Sequence, residues 1–260
     1  MADVVQLQNV SVSINHTEIV HNISLGIPEG KITAIIGPNG CGKSTTLKAI
    51  SRILPCTQGT ITLNGREIHQ YAHRAFAQEL AMLPQSPKAP SDLTVIDLVN
   101  MGRFPYKNLF NRAQQEDREI VMWALEQTNM RSMHHRLLST LSGGERQRAW
   151  IAMTLAQKPR VLMLDEPTTY LDISHQLEVM KLLVKLNTEL HLTVVLVLHE
   201  LNQALQFADN VAVIKAGRLV VQGDPRQVIT PELLAQVFGV RAERFACSNG
   251  MQVLIPIDLL

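Results

Sequence analysis

The stretch Gly37-Pro-Asn-Gly-Cys-Gly-Lys-Ser-Thr45 decides the fold of this chain. It matches the spacing G-x-x-x-x-G-K-[ST], whose fixed positions here are Gly37, Gly42, Lys43 and Ser44. An apolar, β-branched run at Lys31–Ile36 precedes it, and apolar residues at helical spacing in Lys43–Leu54 follow it. Glycines let backbone N–H groups turn toward one anion, and a helix N-terminus adds a favourable dipole. The order strand, glycine loop, helix therefore predicts a phosphate-binding loop.

Every residue of this phosphate loop is a candidate nucleotide contact. The candidates are Gly37, Pro38, Asn39, Gly40, Cys41, Gly42, Lys43, Ser44 and Thr45. The Lys43 ammonium would reach the β- and γ-phosphates, and the Ser44 hydroxyl would ligate Mg²⁺. We interpret Cys41 as a small filler, although an exposed thiol there could be alkylated and block the nucleotide. A glycine turn followed by a chance Lys-Ser is the alternative, and both flanks argue against it.

The bulk composition is that of a globular protein with no broad electrostatic partner. The chain has 260 residues, 46% of them hydrophobic and 18% charged, with a net charge of +1, so a nucleic-acid footprint is not expected. The most apolar run, Leu192–Leu198, is followed at once by His199 and Glu200 and indicates a buried strand, not a membrane span. Three cysteines without paired or metal spacing suit a reducing cytoplasm.

The chain divides into a β-rich start, a helical middle and an α/β remainder. Strands are predicted at Val4–Ile14, Ile23–Ile27, Gly59–Gly65, Val161–Leu164, Leu192–Leu198, Val211–Lys215 and Arg218–Val221. Helices are predicted at Leu93–Met101, Gln114–Thr128, His175–Leu190 and Glu200–Ala208, with another that begins after Thr230. Residues from about 86 to 158 therefore form a helical lobe inserted into an α/β core.

A pair of carboxylates follows one of the buried strands. Asp165 and Glu166 end the strand Val161–Leu164, and a carboxylate at the carboxyl end of a parallel strand can face the loop after a neighbouring strand. Asp165 is the candidate Mg²⁺ ligand, directly or through water, and Glu166 the candidate general base for an attacking water. Taken alone, an acidic turn after a core strand would be the preferred interpretation. Because the same chain also contains the phosphate loop, we prefer the interpretation that Asp165 and Glu166 are catalytic.

A second anion site is predicted where a helix begins after Leu141-Ser-Gly-Gly-Glu145. Ser142 can cap the helix, and the Gly143 and Gly144 amides lie at its positive end. In isolation, Ser-Gly-Gly is only a flexible turn. Followed by Arg146-Gln-Arg and, shortly after, by the acidic strand end, it is a specific signal.

These motifs resemble those of ABC-type ATPases, and Leu141–Arg148 resembles the family's signature motif. Gln85 resembles the Q-loop glutamine, Tyr170-Leu-Asp172 the D-loop, and His199 the switch histidine. The resemblance implies an α/β fold: a P-loop NTPase core of ABC type with an N-terminal antiparallel β subdomain and an inserted helical signature subdomain. It divides one ABC ATPase domain, residues 1–260, into a core (1–85 and 159–225), a helical subdomain (86–158) and a C-terminal extension (226–260).

The resemblance also implies a head-to-tail homodimer that sandwiches ATP and Mg²⁺ between two chains. Ser142 and Gly144 would bind the γ-phosphate held by the second chain's copy of Lys43, with Leu141, Gly143 and Glu145 in the same motif. Gln85 would sense Mg²⁺ or the lytic water, His199 would orient the γ-phosphate and water, and Asp172 would contact the opposite site. The histidines at 134, 135, 175 and 191 belong to no motif, so each is expected to be a satisfied structural histidine.

One position departs from the family pattern. The family usually places an aromatic residue near the start of the domain, where it stacks on adenine. The matching residue here is Ile14, which can pack on a base but has no π-face. We therefore expect a weaker preference for ATP over GTP than an aromatic residue would give.

The rest of the sequence, outside the ATPase motifs, indicates which kind of ABC protein the chain resembles. One ATPase domain without predicted spans or long heptads is typical of a separate importer subunit. The stretches Met101–Tyr106, Arg148–Met153 and Glu166–Gln176 resemble the iron-chelate branch, which serves uptake of ferric siderophores, haem and cobalamin. The resemblance implies integral membrane permease partners, indirectly a substrate-binding protein, and a peripheral position on the cytoplasmic face of the inner membrane.

Alternatives remain at two points. The loop Arg103–Tyr106 is either near the groove that receives the permease or an ordinary anchor inside the helical lobe. The chain as a whole could instead be a soluble ABC ATPase that acts as an assembly or scaffold factor, as in iron–sulfur cluster biogenesis. A P-loop GTPase switch is disfavoured because no Asn-Lys-x-Asp motif occurs.

Overall fold

A computed structural model describes residues 2–90, 92–107, 115–248, 250 and 252–260. The strands are β1 (Asp3–Ile14), β2 (Thr17–Pro28), β3 (Ile32–Ile36), β4 (Gln58–Leu63), β5 (Arg66–Glu67), β6 (Leu80–Leu83), β7 (Val161–Asp165), β8 (Thr193–Val197), β9 (Asn210–Lys215), β10 (Arg218–Gly223), β11 (Val240–Ala246) and β12 (Gln252–Leu259). The α-helices are α1 (Lys43–Ile50), α2 (His73–Glu79), α3 (Val95–Met101), α4 (Gln115–Gln127), α5 (Gly143–Ala156), α6 (Ile173–Leu190), α7 (Leu201–Phe207), α8 (Pro225–Val228) and α9 (Pro231–Phe238).

The chain forms two compact units. One combines the chain up to Gln70 with Val195–Leu260, and the other spans Tyr71–Val194. We call them the first and the second unit. Gln114, the first residue of the predicted helix Gln114–Thr128, lies outside the described residues. No helix in the described ranges is long and apolar enough to cross a membrane.

The first unit carries the antiparallel β sheet that was expected before and after the phosphate loop. Its strand order is β2-β1-β4-β5, and β1 pairs with β2 across a two-residue turn. In the same unit β3 pairs in parallel with β9, and β9 pairs antiparallel with β10. All five residues of β3 are buried, and its one polar side chain, Thr33, accepts a hydrogen bond from the Asn210 Nδ2 at 3.3 Å.

Helix α1 is shorter than the sequence pattern predicts. It ends at Ile50, although apolar spacing continues to Leu54. The Ser51 hydroxyl donates to the carbonyl oxygens of Leu47 and Lys48, and Arg52 has a φ of 61°, which no right-handed helix allows. The left-handed conformation of Arg52 therefore ends the helix before Pro55 is reached.

A β hairpin that the sequence pattern did not reveal follows helix α9. Its strands β11 and β12 form a two-stranded sheet. The Asn202 side chain donates to the Leu254 carbonyl oxygen at 3.1 Å and accepts from the Leu254 N–H at 2.9 Å, so it pairs with β12 as a neighbouring strand would. Two residues further along β12, Pro256 has no N–H to offer.

The second unit packs helices around a short parallel strand pair. Strand β6 pairs with β7 in the register Leu80↔Val161 to Leu83↔Leu164. Helices α3, α4 and α5 pack on one another. The Thr94 side chain caps α3 in a capping box with Asp97, which explains why that helix begins at Val95 and not at the predicted Leu93.

The Arg103–Tyr106 loop is anchored in this unit by two of its side chains. Arg103 donates to the Asp117 carboxylate and to the Ala156 carbonyl oxygen, both at 2.8 Å, and its guanidinium stacks on the Tyr106 ring. The Tyr106 hydroxyl donates to the Gln157 carbonyl oxygen. Of the two alternatives for this loop, anchoring therefore applies to Arg103 and Tyr106, whereas Phe104 is exposed.

Asp117→Ala is expected to lower the free energy of unfolding by about 3 kcal/mol, because it leaves the Arg103 guanidinium buried without its counter-ion. The Arg103 and Asp117 side chains are only 4% and 12% exposed. The matched control is Glu126→Ala, which removes the exposed ion pair with Arg131 and should cost less than about 1 kcal/mol. Urea unfolding of the two variants measures the difference; equal losses would contradict the structural importance of Arg103.

Candidate functional site

The phosphate loop joins the buried strand β3 to helix α1, as its sequence predicts. Lys43 opens the helix and is buried. Its Nζ donates to the carbonyl oxygens of Gly37, at 2.9 Å, and Pro38, at 3.0 Å, so the ammonium is held against the loop backbone. The first-turn N–H groups of a helix have no intrahelical partner, and here they begin directly after the glycines. Donors and a positive charge thus converge on one loop, which suits a phosphate chain.

Gly37 is required by a close backbone approach. A Cβ at this position would lie 2.0 Å from the Ile214 carbonyl oxygen and 2.8 Å from the Cys41 Sγ. Its φ of 154° is one that residues with side chains rarely adopt. Cys41 itself is buried, and burial raises the pKa of its thiol. The filler interpretation of Cys41 therefore fits the structure, and a modifying reagent would meet a shielded, protonated sulfur.

Two other predicted residues lie in the same unit as the phosphate loop. Ile14 is the last residue of β1 and is 38% exposed, just before the turn Asn15-His16, where both residues have positive φ. His199 is exposed and follows β8, whose end is bonded to β3 through the Leu198 N–H. His199 thus follows the carboxyl end of its strand, as the phosphate loop follows the carboxyl end of β3.

In the second unit, the strand register brings Gln85 and Glu166 together. Each lies two residues beyond the paired ends Leu83 and Leu164 of the parallel strands. The Gln85 Nε2 donates to the Glu166 Oε2, and the Thr169 hydroxyl donates to the same oxygen at 3.2 Å. Glu166 has a φ of 54°, in the left-handed region that a residue of its type seldom occupies. The neighbouring Asp165 is buried at the end of β7.

Residues 141–145, the first part of the signature motif, form a capped helix start. The Ser142 Oγ accepts from the Glu145 N–H at 3.3 Å, and the Glu145 carboxylate accepts from the Ser142 N–H at 2.7 Å. This capping box holds the pKa of Glu145 below its usual range. Because the Ser142 Oγ acts as an acceptor in the cap, its hydroxyl proton can still be donated to an anion. Ser142 and Gly143 are exposed, whereas Gly144 and Leu141 are buried.

Asp172 caps helix α6, which explains why that helix begins at Ile173 and not at the predicted His175. Its carboxylate accepts from the His175 N–H and lies 2.9 Å from the His175 Nδ1. These bonds, with one from the Ser174 hydroxyl, lower the pKa of Asp172 to about 2. Sequence reasoning left His175 without a role; its place three residues after an N-cap aspartate was the available signal.

The predicted site residues are therefore divided between the two units. The phosphate loop, Ile14 and His199 belong to the first. Gln85, Asp165, Glu166, the signature motif and Asp172 belong to the second. Within the second unit, Gln85 is bonded to Glu166, and Asp172 is bonded to His175.

The exposed position of Ile14 allows its role to be tested. Ile14→Tyr is expected to raise the preference for ATP over GTP by about threefold to tenfold, because an aromatic ring adds stacking to a base contact. Direct competition between the two nucleotides measures it. Ile53→Tyr, at another exposed isoleucine of the first unit, is the matched control. The same preference in the parent and in Ile14→Tyr would mean that Ile14 does not contact the base.

Comparisons with known proteins identify the family and the fold. The family model described as ABC transporter matches residues 20–169. The iron(3+)-hydroxamate import ATP-binding protein FhuC of Bacillus subtilis is 50% identical over 225 residues, 86% of this chain and 84% of that protein. Among solved structures, an inward-facing ABC transporter assigned to the metal-chelate type has a TM-score of 0.86 at 27% identity and covers 98% of both chains. The dimeric bacterial ABC transporter cassette MJ0796 has a TM-score of 0.74 at 28% identity, and covers 85% of this chain and 99% of that one.

Proposed function

Because the chain belongs to the ABC transporter family and is an ATP-binding, ATP-hydrolysing subunit of that family, we propose that it powers an importer of ferric siderophores or a related metal chelate. A relative that is 50% identical is named for iron(3+)-hydroxamate import. A fold neighbour over almost the whole chain comes from a transporter of metal-chelate type. These two similarities support the same substrate class.

One observation supports the hydrolytic assignment best: the bond between Gln85 and Glu166 beside the buried Asp165. The Glu166 carboxylate is oriented by two donors, and it can accept a proton from an attacking water. Gln85, which bonds to that carboxylate, would position the water. His199 would orient the γ-phosphate and water, as the family resemblance implies. Lys43 and the loop amides would bind the phosphates.

The residues available for Mg²⁺ form an all-oxygen set. They are the Ser44 hydroxyl, the Asp165 carboxylate and the Gln85 amide oxygen, whose Nε2 is already used in the bond to Glu166. Mg²⁺ prefers such hard donors, and is usually held by one or two carboxylates together with substrate phosphates. Bound Mg²⁺ would neutralise charge that develops on the phosphates.

A homodimer completes the site in this proposal. Ser142 and Gly143 are exposed, and they present a hydroxyl and a helix-terminal amide to solvent. In the dimer, these two donors would bind the γ-phosphate of the nucleotide on the second copy. Tyr170 and Ile173, on either side of Asp172, are 90% and 83% exposed, and a second copy would cover these apolar side chains. The solved dimer of the cassette MJ0796 is a precedent for such an assembly.

The membrane partner would be an integral permease, with a substrate-binding protein acting on that permease from the other side. This arrangement places the chain peripherally at the cytoplasmic face of the membrane. ATP binding would close the dimer and move the permease, and hydrolysis would reopen it. The exposed Phe104, held in place by the anchored Arg103 and Tyr106, is the candidate contact for the permease.

Affinity purification of the tagged chain from detergent-solubilised membranes tests the proposal. We expect an integral membrane permease to co-purify, and Phe104→Asp to reduce its recovery while Ile53→Asp, at an exposed control site, does not. Recovery of a soluble partner without any permease would contradict transport and favour the assembly-factor alternative. Uptake of radiolabelled ferric chelates by cells with and without the chain then tests the substrate class.

A further inference from the structure

The imidazole of His175 lies directly on the signature glycine Gly144. A Cβ built on Gly144 would come within 2.2 Å of the His175 Cδ2 and 2.7 Å of its Cγ. Gly144 is buried, so the ring covers the glycine on the side where a side chain would project. Any larger residue at position 144 would have to displace the ring.

The orientation of this ring is set by Asp172. The His175 Nδ1 lies 2.9 Å from each oxygen of the Asp172 carboxylate. The same carboxylate accepts from the His175 N–H at 2.9 Å and from the Ser174 hydroxyl at 2.8 Å, so it is itself fixed as the N-cap of α6. Since the pKa of Asp172 is lowered to about 2, the carboxylate stays charged at any pH used for assay.

A second contact between helices α5 and α6 fixes how the two helices lie along one another. One turn beyond the ring, the Arg148 guanidinium bonds to the Glu178 carboxylate at 2.5 Å. On the other side of the signature, a Cβ on Gly143 would meet the Leu171 Cδ2 at 3.2 Å. The helix start that carries the signature amides and the loop that carries Asp172 therefore touch at several points within one chain.

We propose that His175 is a positioning residue for ATP hydrolysis, which holds the Asp172 loop against the Gly144 end of helix α5. The proposal rests on the dimeric function proposed above. The signature amides and the Asp172 carboxylate then approach the second copy's nucleotide as one rigid element. In this proposal His175 acts through Asp172 and Gly144.

A merely structural role for His175 would show in the stability of the chain. The His175 side chain is 31% exposed and that of Asp172 is 65% exposed, so the contact between them contributes little to global stability. The expected effect is therefore on assembly and not on the melting temperature. Dimerisation driven by ATP is the readout that separates these two roles.

The test uses three variants in a Glu166→Gln background, where ATP-bound dimers are expected to accumulate. His175→Phe keeps a ring on Gly144 without the bond to Asp172, His175→Asn keeps a donor for Asp172 without the ring, and His175→Ala loses both. For His175→Ala, we expect the ATP concentration for half-maximal dimerisation to rise about tenfold, because a charge-assisted bond and a packing contact are lost. The other two variants should fall in between.

The control measurement is binding of ATP to the monomer, with Glu119→Gln as an exposed-site reference. Parental monomer affinity and melting temperature, together with impaired dimerisation, are the expected result. Parental dimerisation in all three variants would overturn the role of His175. A loss of ATP affinity in the monomer as large as the loss in dimerisation would also overturn it. If the Glu166→Gln chain does not dimerise with ATP at all, the proposed dimeric function fails, and with it this inference.

A suppressor experiment tests the ring contact itself. Gly144→Ala should impair dimerisation because its methyl group collides with the His175 ring. Adding His175→Ala removes the obstacle, so the double variant should recover toward the level of His175→Ala alone. The absence of any recovery would contradict the contact between His175 and Gly144.

Discussion

Replacing Glu166 with Gln is expected to lower kcat for ATP hydrolysis by about a thousandfold, the loss typical when a general base is removed. The amide cannot accept the proton of the attacking water, yet it matches the carboxylate in size. ATP binding should persist, because the phosphate loop and its Lys43 lie elsewhere in the chain. Single-turnover kinetics measure the loss in the rate of hydrolysis. Size-exclusion chromatography with ATP measures the dimer, which should accumulate if ATP still binds.

The geometry around Glu166 explains why so large an effect is expected from this position. Its Oε2 accepts from Gln85 and Thr169, and its backbone has a φ of 54°, so the carboxylate is held in one place by strand register and by turn conformation. Glu119→Gln, at an exposed residue of α4, is the control and should hydrolyse ATP at the parental rate. Rapid hydrolysis by Glu166→Gln would exclude Glu166 as the base.

Replacing Lys43 with Met is expected to weaken ATP binding about a hundredfold, since bonds from an ammonium to phosphate oxygens are charge-assisted. Methionine has a similar length and suits a buried helix position, so the fold should survive. In the parent chain the Lys43 Nζ is held by the carbonyl oxygens of Gly37 and Pro38, which aligns it with the loop. Isothermal titration with ATP and with ATP plus Mg²⁺ measures the loss.

Two further variants separate charge from position at Lys43. Lys48→Met removes an ammonium from the last turn of the same helix and should leave ATP affinity unchanged. Lys43→Arg keeps the charge but brings a larger, planar group into a buried place, and it should not restore binding. Parental affinity in Lys43→Met would mean that the loop does not hold the phosphates through this residue.

The local structures around the candidate site that were predicted correctly are those encoded by contiguous residues. The phosphate loop contains its own glycines, its lysine and the start of its helix, so nine neighbouring residues determine its local structure. The signature motif is similar: Ser142 and Glu145 are three residues apart and cap the helix from within the motif. In both cases short-range geometry suffices, because the partners are adjacent in the chain.

The contacts that were missed depend on packing between distant or weakly patterned segments. Gln85 and Glu166 are separated by 81 residues, and only the register of β6 on β7 brings them together. Strand β6 has four residues, and helix α2 has seven and no side-chain cap, which is too short for a periodic signal. The ring of His175 on Gly144 is likewise invisible until α6 is packed on α5.

The Asn202 side chain has a consequence for the solubility of the chain. Strand β12 carries the apolar residues Val253, Leu254, Ile255 and Ile257, and the unpaired backbone groups of an apolar edge strand can pair with a strand of another molecule. Asn202 already occupies both backbone groups of Leu254, and Pro256 interrupts the row of donors that an incoming strand would need. This edge of β12 is therefore a poor template for an incoming strand, although the segment is apolar.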